Sequence, residues 1–274
     1  MHYLPDAERT RRMTTDELRQ HFLVTDLFRE GEVSLRLVDL DRVIVGGIVP
    51  TKAPLDLGIA EGLRTRTFTE RREVGLLNIG GGGRIVVDDA EYAMAPLDVL
   101  YVGRGYHEIA FESLDAKVPA RFYLVSYPSH AVHPTTHIRA GDADETVLGT
   151  KENANLRRLR KYVRPGAVDS AQLVMGITVV EEGSVWNTMP AHTHQRRTEV
   201  YMYFGLLSDA VVFHFMGEPA ETRSLVVRNA EAVLSPGWSI HAGAGTAGYT
   251  FCWAMGGENQ DFADMQLVAM GDLR

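Results

Sequence analysis

The chain has 274 residues, 45% of them hydrophobic, which allows one large globular domain or two smaller ones. It carries 28 Lys and Arg against 36 Asp and Glu, and the net charge of −8 disfavours nucleic acid or an anionic membrane as a partner. The N-terminus has no apolar segment of signal-peptide length, and no stretch approaches the roughly 20 apolar residues of a membrane span. We therefore expect a soluble, cytoplasmic protein.

One short helix is predicted near the N-terminus, over residues 14–22, with Thr14 or Thr15 as its cap and acidic residues in its first turn. After it, short apolar or alternating runs are separated by Gly, Pro and Asp. These predicted strands span 33–38, 42–49, 74–79, 84–87, 99–102, 121–126, 173–180, 200–204, 210–216, 224–227, 232–234 and 250–255. Many short strands at this spacing are typical of a β-sandwich or barrel.

A change of composition at residues 136–165 indicates a connection between two β-rich halves, at 1–135 and 166–274. An acidic run at 141–145 is followed by a basic run at 155–162, and no strand pattern alternates through the segment. We expect it to lack strands of its own.

The two halves resemble each other. Glu-Arg-Arg-Glu-Val at 70–74 matches Gln-Arg-Arg-Thr-Glu-Val at 195–200, with one residue inserted. Further on, 99–107 aligns without gaps with 233–241, and both segments end in histidine. Two matches in the same order favour an internal duplication.

The second half carries a pattern of metal-binding residue types. His192 and His194 alternate, so in a strand they project from the same face. Glu199 returns to that face if a bend intervenes, and His241 follows a Pro-Gly turn at the end of another strand. Three imidazoles and a carboxylate suit Zn²⁺, Fe²⁺, Mn²⁺ or Ni²⁺. The pair H-x-H and Glu, with a later His, is the motif of the cupins.

The first half lacks this set. Arg64-Thr-Arg-Thr-Phe-Thr69 stands where the H-x-H would precede the Glu-Arg-Arg segment, and only His107 remains of the ligands. We expect His107 to be an ordinary hydrogen-bonded histidine, with the metal confined to the second half.

With these residues in hand, the chain resembles the 5-keto-4-deoxyuronate isomerases, also called 4-deoxy-L-threo-5-hexosulose-uronate ketol-isomerases, of the cupin superfamily. The resemblance covers nearly the whole length. It rests on segments 41–47, 70–75, 100–104, 186–190, 211–214, 217–223, 257–260 and 272–274. The stretch 186–204 is specific, because its letters match between the ligands as well as at them.

The resemblance implies a mainly β fold, in which a double-stranded β-helix (cupin, or jelly-roll) is duplicated as a bicupin with few short helices. It implies one Zn²⁺ per subunit, held by His192, His194, Glu199 and His241, and a cytoplasmic homohexamer. The implied reaction converts 5-dehydro-4-deoxy-D-glucuronate into 3-deoxy-D-glycero-2,5-hexodiulosonate during pectin breakdown.

The group that moves the proton in such a reaction is not evident from the motifs. Glu199 is engaged as a ligand, which leaves Tyr201, Tyr203 and Glu258 as candidate bases, although a tyrosine would need a strongly lowered pKa. An enediolate route and a hydride shift both remain open.

The substrate carboxylate calls for a cation, and arginine binds carboxylates through two parallel hydrogen bonds. The candidates for substrate binding are Arg160, Lys161, Arg196, Arg197 and Gln260. By strand alternation, only one of the two neighbouring arginines 196 and 197 should face the metal.

Two other functions are compatible with the ligand set. One is an iron-dependent cupin dioxygenase. The other is a cupin that binds a sugar acid without turning it over. The matches outside the ligands favour the isomerase.

Overall fold

The computed structural model describes residues 1–258 and 260–274. Its helical content is small: α1 (Ala7–Thr10), α2 (Thr15–Phe22) and two 3₁₀ turns at Leu40–Arg42 and Met270–Asp272. Helix α2 confirms the predicted helix, because the Thr14 hydroxyl accepts from the Glu17 amide while the Glu17 carboxylate accepts from the Thr14 amide. No helix in the described part of the chain is long and apolar enough to cross a bilayer.

The rest of the described structure is built from short strands. They are β1 (Leu23–Val24), β2 (Val33–Leu37), β3 (Ile44–Ile48), β4 (Leu55–Asp56), β5 (Arg72–Asn78), β6 (Gly83–Val87), β7 (Ala90–Met94), β8 (Val99–Val102), β9 (Ile109–Ser113), β10 (Phe122–Pro128), β11 (Thr136–Ile138), β12 (Asp144–Leu148), β13 (Arg157–Val163), β14 (Val174–Val180), β15 (Trp186–Asn187), β16 (His192–Thr193), β17 (Arg197–Phe204), β18 (Val212–Glu218), β19 (Glu221–Val227), β20 (Glu231–Ser235), β21 (Ala242–Gly245), β22 (Thr250–Gly257) and β23 (Gln266–Leu267). Every strand predicted from alternation is present.

The chain folds into two compact units. The first unit contains residues 1–2, 26–143 and 162–174, and the second contains 3–25, 144–161 and 175–274. The predicted halves, at 1–135 and 166–274, divide the chain at a single connection. They do not describe the N-terminal segment 3–25, which belongs to the second unit, or the segment 162–174, which belongs to the first.

The first unit pairs a six-stranded sheet, in the order β11-β8-β5-β10-β3-β2, with a four-stranded sheet, in the order β4-β9-β6-β7. Its interior is apolar. Leu76 and Phe122 from the larger sheet and Ile85 and Phe111 from the smaller one belong to one buried cluster, and the rings of Phe111 and Phe122 lie 5.4 Å apart. This interior is a packed core.

The second unit repeats this arrangement. Its seven-stranded sheet has the order β1-β20-β17-β22-β14-β13-β12, its four-stranded sheet the order β15-β21-β18-β19, and β16 pairs with β23. The order β8-β5-β10-β3-β2 therefore corresponds to β20-β17-β22-β14-β13, and β4-β9-β6-β7 to β15-β21-β18-β19. Two units of the same strand order confirm the predicted mainly β, duplicated double-stranded β-helix, a bicupin.

The segment 136–165 corrects one expectation, because it contains strands β11, β12 and β13. Strands β12 and β13 are antiparallel, with Asp144 opposite Lys161 and Glu145 opposite Arg160. The acidic run and the basic run are thus the two arms of one ladder, held by cross-strand ion pairs. The hydrophobic pattern missed them because charged side chains occupy both faces of β13.

Candidate metal centre and its cavity

Four side chains in the second unit converge on one point. The His192 Nε2 atom lies 3.2 Å from His194 Nε2 and 3.0 Å from His241 Nε2. Glu199 Oε2 lies 3.2 Å from His194 Nε2 and 3.1 Å from His241 Nε2. Such separations suit atoms that share one ion through bonds of about 2.0–2.2 Å. The sequence prediction named these same four residues, and the structure brings all of them together.

The local fold explains this convergence. His192 lies on β16, and a turn at residues 195–196 separates His194 from β17, which carries Glu199. This turn is the bend that the spacing required. The amide of His194 donates to the Gly237 carbonyl, in the turn that leads to His241. A side chain at Gly237 would place its Cβ 2.4 Å from the His194 carbonyl oxygen, so only glycine allows this close approach.

Two imidazoles are oriented by hydrogen bonds on the side away from the cluster. His194 Nδ1 lies 3.0 Å from the Asp264 carbonyl oxygen, which also accepts from Arg197 Nη2 at 2.8 Å. His241 Nδ1 lies 3.4 Å from Ser235 Oγ. Donation from Nδ1 leaves the Nε2 lone pair free to face an ion, which is the usual support for a metal-binding histidine.

The electrostatics of the cluster also fit a cation. Burial lowers the pKa of His192 to about 3, with further lowering from His194 and Arg197, and burial holds the pKa of His241 well below its usual range. These imidazoles are therefore neutral at pH 7 and cannot act as counter-ions to the carboxylate. Glu199 Oε2 is buried without a hydrogen-bond donor in the described structure. A buried carboxylate without a hydrogen-bond donor is costly, and a divalent ion held by the four side chains would compensate it.

The cluster borders a cavity of about 290 Å³. Most of its wall is apolar, formed by Leu148, Leu159, Met189, Pro190, Phe251, Trp253, Met255, Phe262, Met265 and Leu267. The polar side chains that line it, apart from the metal set, are Arg157, Thr178, Thr188 and Tyr201. The cavity is large enough for a small organic molecule beside the metal-binding residues.

Comparison with known proteins identifies the family. Residues 36–270 match the sequence profile of the KduI/IolB family. The chain belongs to this family. A relative from Halalkalibacterium halodurans named 4-deoxy-L-threo-5-hexosulose-uronate ketol-isomerase is 49% identical over 272 residues, which cover 99% of each chain. KduI/IolB membership at this level of identity makes the chain an enzyme of the ketol-isomerase type.

Solved structures agree on the fold. An IolB-like protein from Salmonella typhimurium superposes with a TM-score of 0.69 at 12% identity, covering 90% of this chain and 96% of its own. An oxalate decarboxylase from Lactobacillus farciminis superposes with a TM-score of 0.60 at 10% identity, covering 89% of each chain. At these identities the likeness concerns the bicupin architecture alone.

The three candidate bases occupy different environments. Tyr201 lines the cavity, and its hydroxyl lies 3.2 Å from Thr188 Oγ1; burial, followed by the charge of Glu199, raises its pKa well above 10. Tyr203 is buried behind it and shares a hydrogen bond of 2.8 Å with His214 Nδ1. Glu258 is exposed and accepts from Arg196 Nε at 2.7 Å. Of these three, only Tyr201 reaches the cavity.

None of the five predicted substrate-binding residues lines the cavity. Arg160 pairs with Glu145 at 2.6 Å, and Lys161 lies 3.5 Å from Asp144, with its ammonium over the Phe262 ring. Gln260 is partly buried, but it does not line the cavity.

The neighbouring arginines 196 and 197 divide as alternation predicted. Arg196 is exposed and paired with Glu258, whereas Arg197 is buried beside His194. Arg197 thus supports a ligand.

Sequence reasoning overlooked Arg157, which does line the cavity. The basic run at 155–162 carries no apolar alternation, so the sequence alone does not indicate the strand that it forms. Once β13 is recognised, residues 157, 159 and 161 share one face, and Arg157 and Leu159 on that face both border the cavity.

Proposed function

We propose that this protein is a zinc-dependent isomerase that converts 5-dehydro-4-deoxy-D-glucuronate into 3-deoxy-D-glycero-2,5-hexodiulosonate. The observation that carries the proposal is the four-residue cluster beside a mostly apolar cavity, in a chain that matches ketol-isomerases over its full length. The reaction moves a carbonyl from C1 to C2 of an acidic sugar and needs an electrophile beside the two oxygens.

Zinc is the ion that we propose for the cluster. Three imidazoles and one carboxylate are common zinc ligands, and the buried Glu199 oxygen accepts no hydrogen bond in the described structure. When bound, such an ion supplies Lewis acidity at the carbonyl oxygen. Iron and manganese accept the same ligands, so metal analysis of the purified protein is part of the test.

The cavity residues suit an isomerisation shielded from water. The apolar walls exclude solvent from the reacting carbons. The Tyr201 hydroxyl stays protonated because its pKa is raised, so it can donate a hydrogen bond to a substrate oxygen but does not serve as a base. Thr188 Oγ1 lies within hydrogen-bond distance of the Tyr201 hydroxyl, so the cavity wall carries two neighbouring hydroxyl groups.

Among the described residues that line the cavity, no carboxylate or imidazole stands outside the metal set. This arrangement favours direct transfer of hydrogen from C2 to C1 over its removal by a dedicated protein base. Turnover in deuterium oxide tests the route. Product free of deuterium at C1 is expected, and deuterium at C1 at each turnover would show that a base exchanges its proton with solvent.

We also propose that the protein is a cytoplasmic homohexamer, as the resemblance to the isomerases implies. The described interior of the first unit is an apolar core. We therefore assign this unit a structural role, in assembly of the hexamer. Native mass spectrometry measures the subunit count, and a monomer would contradict the proposed assembly.

The experiment that tests the function is an assay of the purified protein on 5-dehydro-4-deoxy-D-glucuronate. We expect the 2-keto product, one zinc per chain, and no activity in the His192→Ala variant. Oxygen consumption would identify a dioxygenase instead. Binding without turnover would identify a sugar-acid-binding protein, and unchanged turnover in His192→Ala would contradict a metal-centred reaction.

A further inference from the structure

Strand β13 presents four cationic side chains, and three of them are neutralised. Arg158 lies 2.6 Å from Glu181, Arg160 lies 2.6 Å from Glu145, and Lys161 lies 3.5 Å from Asp144. Arg157 is the exception, since none of the described residues places a carboxylate within ion-pair distance of it. Its hydrogen bond runs from Nη1 to the Asn155 carbonyl at 2.8 Å.

Arg157 is also the member of this set that lines the cavity. Burial lowers the pKa of its guanidinium, and the groups that act in the opposite direction are the phenols of Tyr201 and Tyr249, with no acid among them. Two tyrosines that stay protonated do not compensate a partly buried cation. A guanidinium that borders a mostly apolar cavity and has no carboxylate partner there indicates an anionic ligand.

The position of Arg157 relative to the metal set suits a molecule with two different ends. In the sheet, β13 lies three strands from β17, which carries Glu199, along the order β17-β22-β14-β13. At a strand spacing of about 4.8 Å, the two backbones are separated by about 14 Å along the sheet. Both side chains nevertheless border the same cavity, so they reach it from well-separated strands of one sheet.

We propose that Arg157 binds the C6 carboxylate of the substrate while the metal cluster faces the C1 and C2 oxygens at the other end. This inference rests on the proposed function, and it makes Arg157 a specificity residue for acidic sugars. The planar guanidinium forms two parallel hydrogen bonds with a carboxylate, and the low-polarity surroundings strengthen them. The leucine and aromatic walls contact the carbon chain between the two ends.

The test compares Arg157→Met with Arg158→Met, a neighbour on the same strand that faces away and pairs with Glu181. Kinetics are measured with the natural substrate and with an analogue that has an uncharged alcohol at C6. We expect Arg157→Met to raise KM for the acid about 100-fold, the loss typical of a charge-assisted pair. KM for the analogue should change less than about threefold, and Arg157→Lys should recover part of the loss because it restores the charge.

Zinc content and circular dichroism show that each variant is folded and loaded. An Arg157→Met enzyme that is folded, zinc-loaded and within about threefold of the wild-type KM for the acid would overturn the proposal. Equal losses for the acid and the uncharged analogue would overturn it as well, because they indicate a general packing role.

A binding measurement separates this inference from the proposed function. Calorimetry compares D-glucuronate with D-glucose on zinc-loaded wild type and on Arg157→Met. If the wild type fails to isomerise the keto-uronate but still prefers the acid in an Arg157-dependent way, the function is wrong and the anion site stands. If the wild type shows no preference for the acid, or Arg157→Met keeps it, the anion site is wrong.

Discussion

Two buried glutamates, one in each unit, show how similar sequence segments acquire different roles. Glu73 in the first unit is fully enclosed, and its carboxylate accepts from the Tyr101 hydroxyl and from the amides of Ala171, Gln172 and Leu173 at 2.6–2.8 Å. Four protein donors satisfy it completely. Glu199, which aligns with Glu73 in sequence, has an oxygen that lies 3.1–3.2 Å from the Nε2 atoms of His194 and His241 and accepts no hydrogen bond in the described structure.

A buried carboxylate with a structural role is distinguished from a metal ligand by the hydrogen-bond donors that surround it. Both residues follow a buried arginine, Arg72 or Arg197, that donates to backbone carbonyls. Both lie on a central strand of corresponding sheets, but Glu199 lines the cavity whereas Glu73 lies on the face of β5 opposite to the core residues Val74 and Leu76. The donors around the carboxylate, rather than its burial or its strand, decide whether the site needs an ion.

The largest expected effect on activity comes from removing the negative charge of Glu199, with the same change at Glu73 as the comparison. Glu199→Gln should lower kcat/KM at least about 1000-fold and abolish stoichiometric zinc binding, because the amide neither balances the ion's charge nor binds it well. Glu73→Gln should retain one zinc per chain. Elemental analysis measures the zinc content of both variants, and the isomerase assay measures their activity. Loss of zinc in Glu73→Gln but not in Glu199→Gln would contradict the assignment of Glu199 as the metal ligand.

Removing the support of a ligand should have a smaller effect. Arg197→Met deletes the guanidinium that shares the Asp264 carbonyl with His194, so the imidazole is less well oriented. We expect zinc affinity to fall about 10- to 100-fold, the usual cost of a lost outer hydrogen bond. Competition with a chelator measures it, and Arg196→Met, at the exposed neighbour, is the matched control. Equal affinities in the two variants would contradict the role of Arg197.

The first unit should respond to substitution in stability instead. In Glu73→Gln the amide group turns donor hydrogens towards backbone N–H groups, which leaves buried polar atoms unsatisfied. We expect a loss of about 2–4 kcal/mol in the free energy of unfolding, measured by urea denaturation of the zinc-loaded protein. A loss below about 0.5 kcal/mol would show that the four donors do not depend on the carboxylate.

The smallest expected effect is on the pH dependence of the free energy of unfolding. Burial lowers the pKa of His214 to about 3, whereas an unfolded histidine titrates near 6.5. Between these values the unfolded chain binds a proton that the native chain does not, so the free energy of unfolding falls as the pH drops from about 6.5 towards 3. His214→Gln should make this fall shallower. His107→Gln, at an exposed position of the first unit, is the control. An equal change in the pH dependence of the two variants would contradict the role given to the buried His214.

The sequence predicted the ligands because their spacing is local and their chemistry is restrictive. The alternation of His192 and His194 and the Pro-Gly turn before His241 define positions on strands, and the strand core is set by apolar periodicity. Arg157 was missed for the opposite reason. Its strand is charged on both faces. Whether each of its cations has a carboxylate partner depends on neighbouring strands, and only the tertiary structure shows those neighbours.

The long-range contacts within each unit were also beyond the sequence. Residues 23–24 pair with β20, more than 200 residues away, and the 171–173 amides meet Glu73 across about 100 residues. Contacts of this kind leave no periodic pattern in either partner.

The most direct test of the account is turnover of 5-dehydro-4-deoxy-D-glucuronate by one protein sample in three states: as purified, stripped of metal by a chelator, and reloaded with one equivalent of zinc. We predict isomerisation in the first and third states and none in the second, with the fold retained throughout by circular dichroism. Undiminished turnover by the folded, metal-free protein would contradict the claim that the His192, His194, Glu199 and His241 cluster is the centre of catalysis.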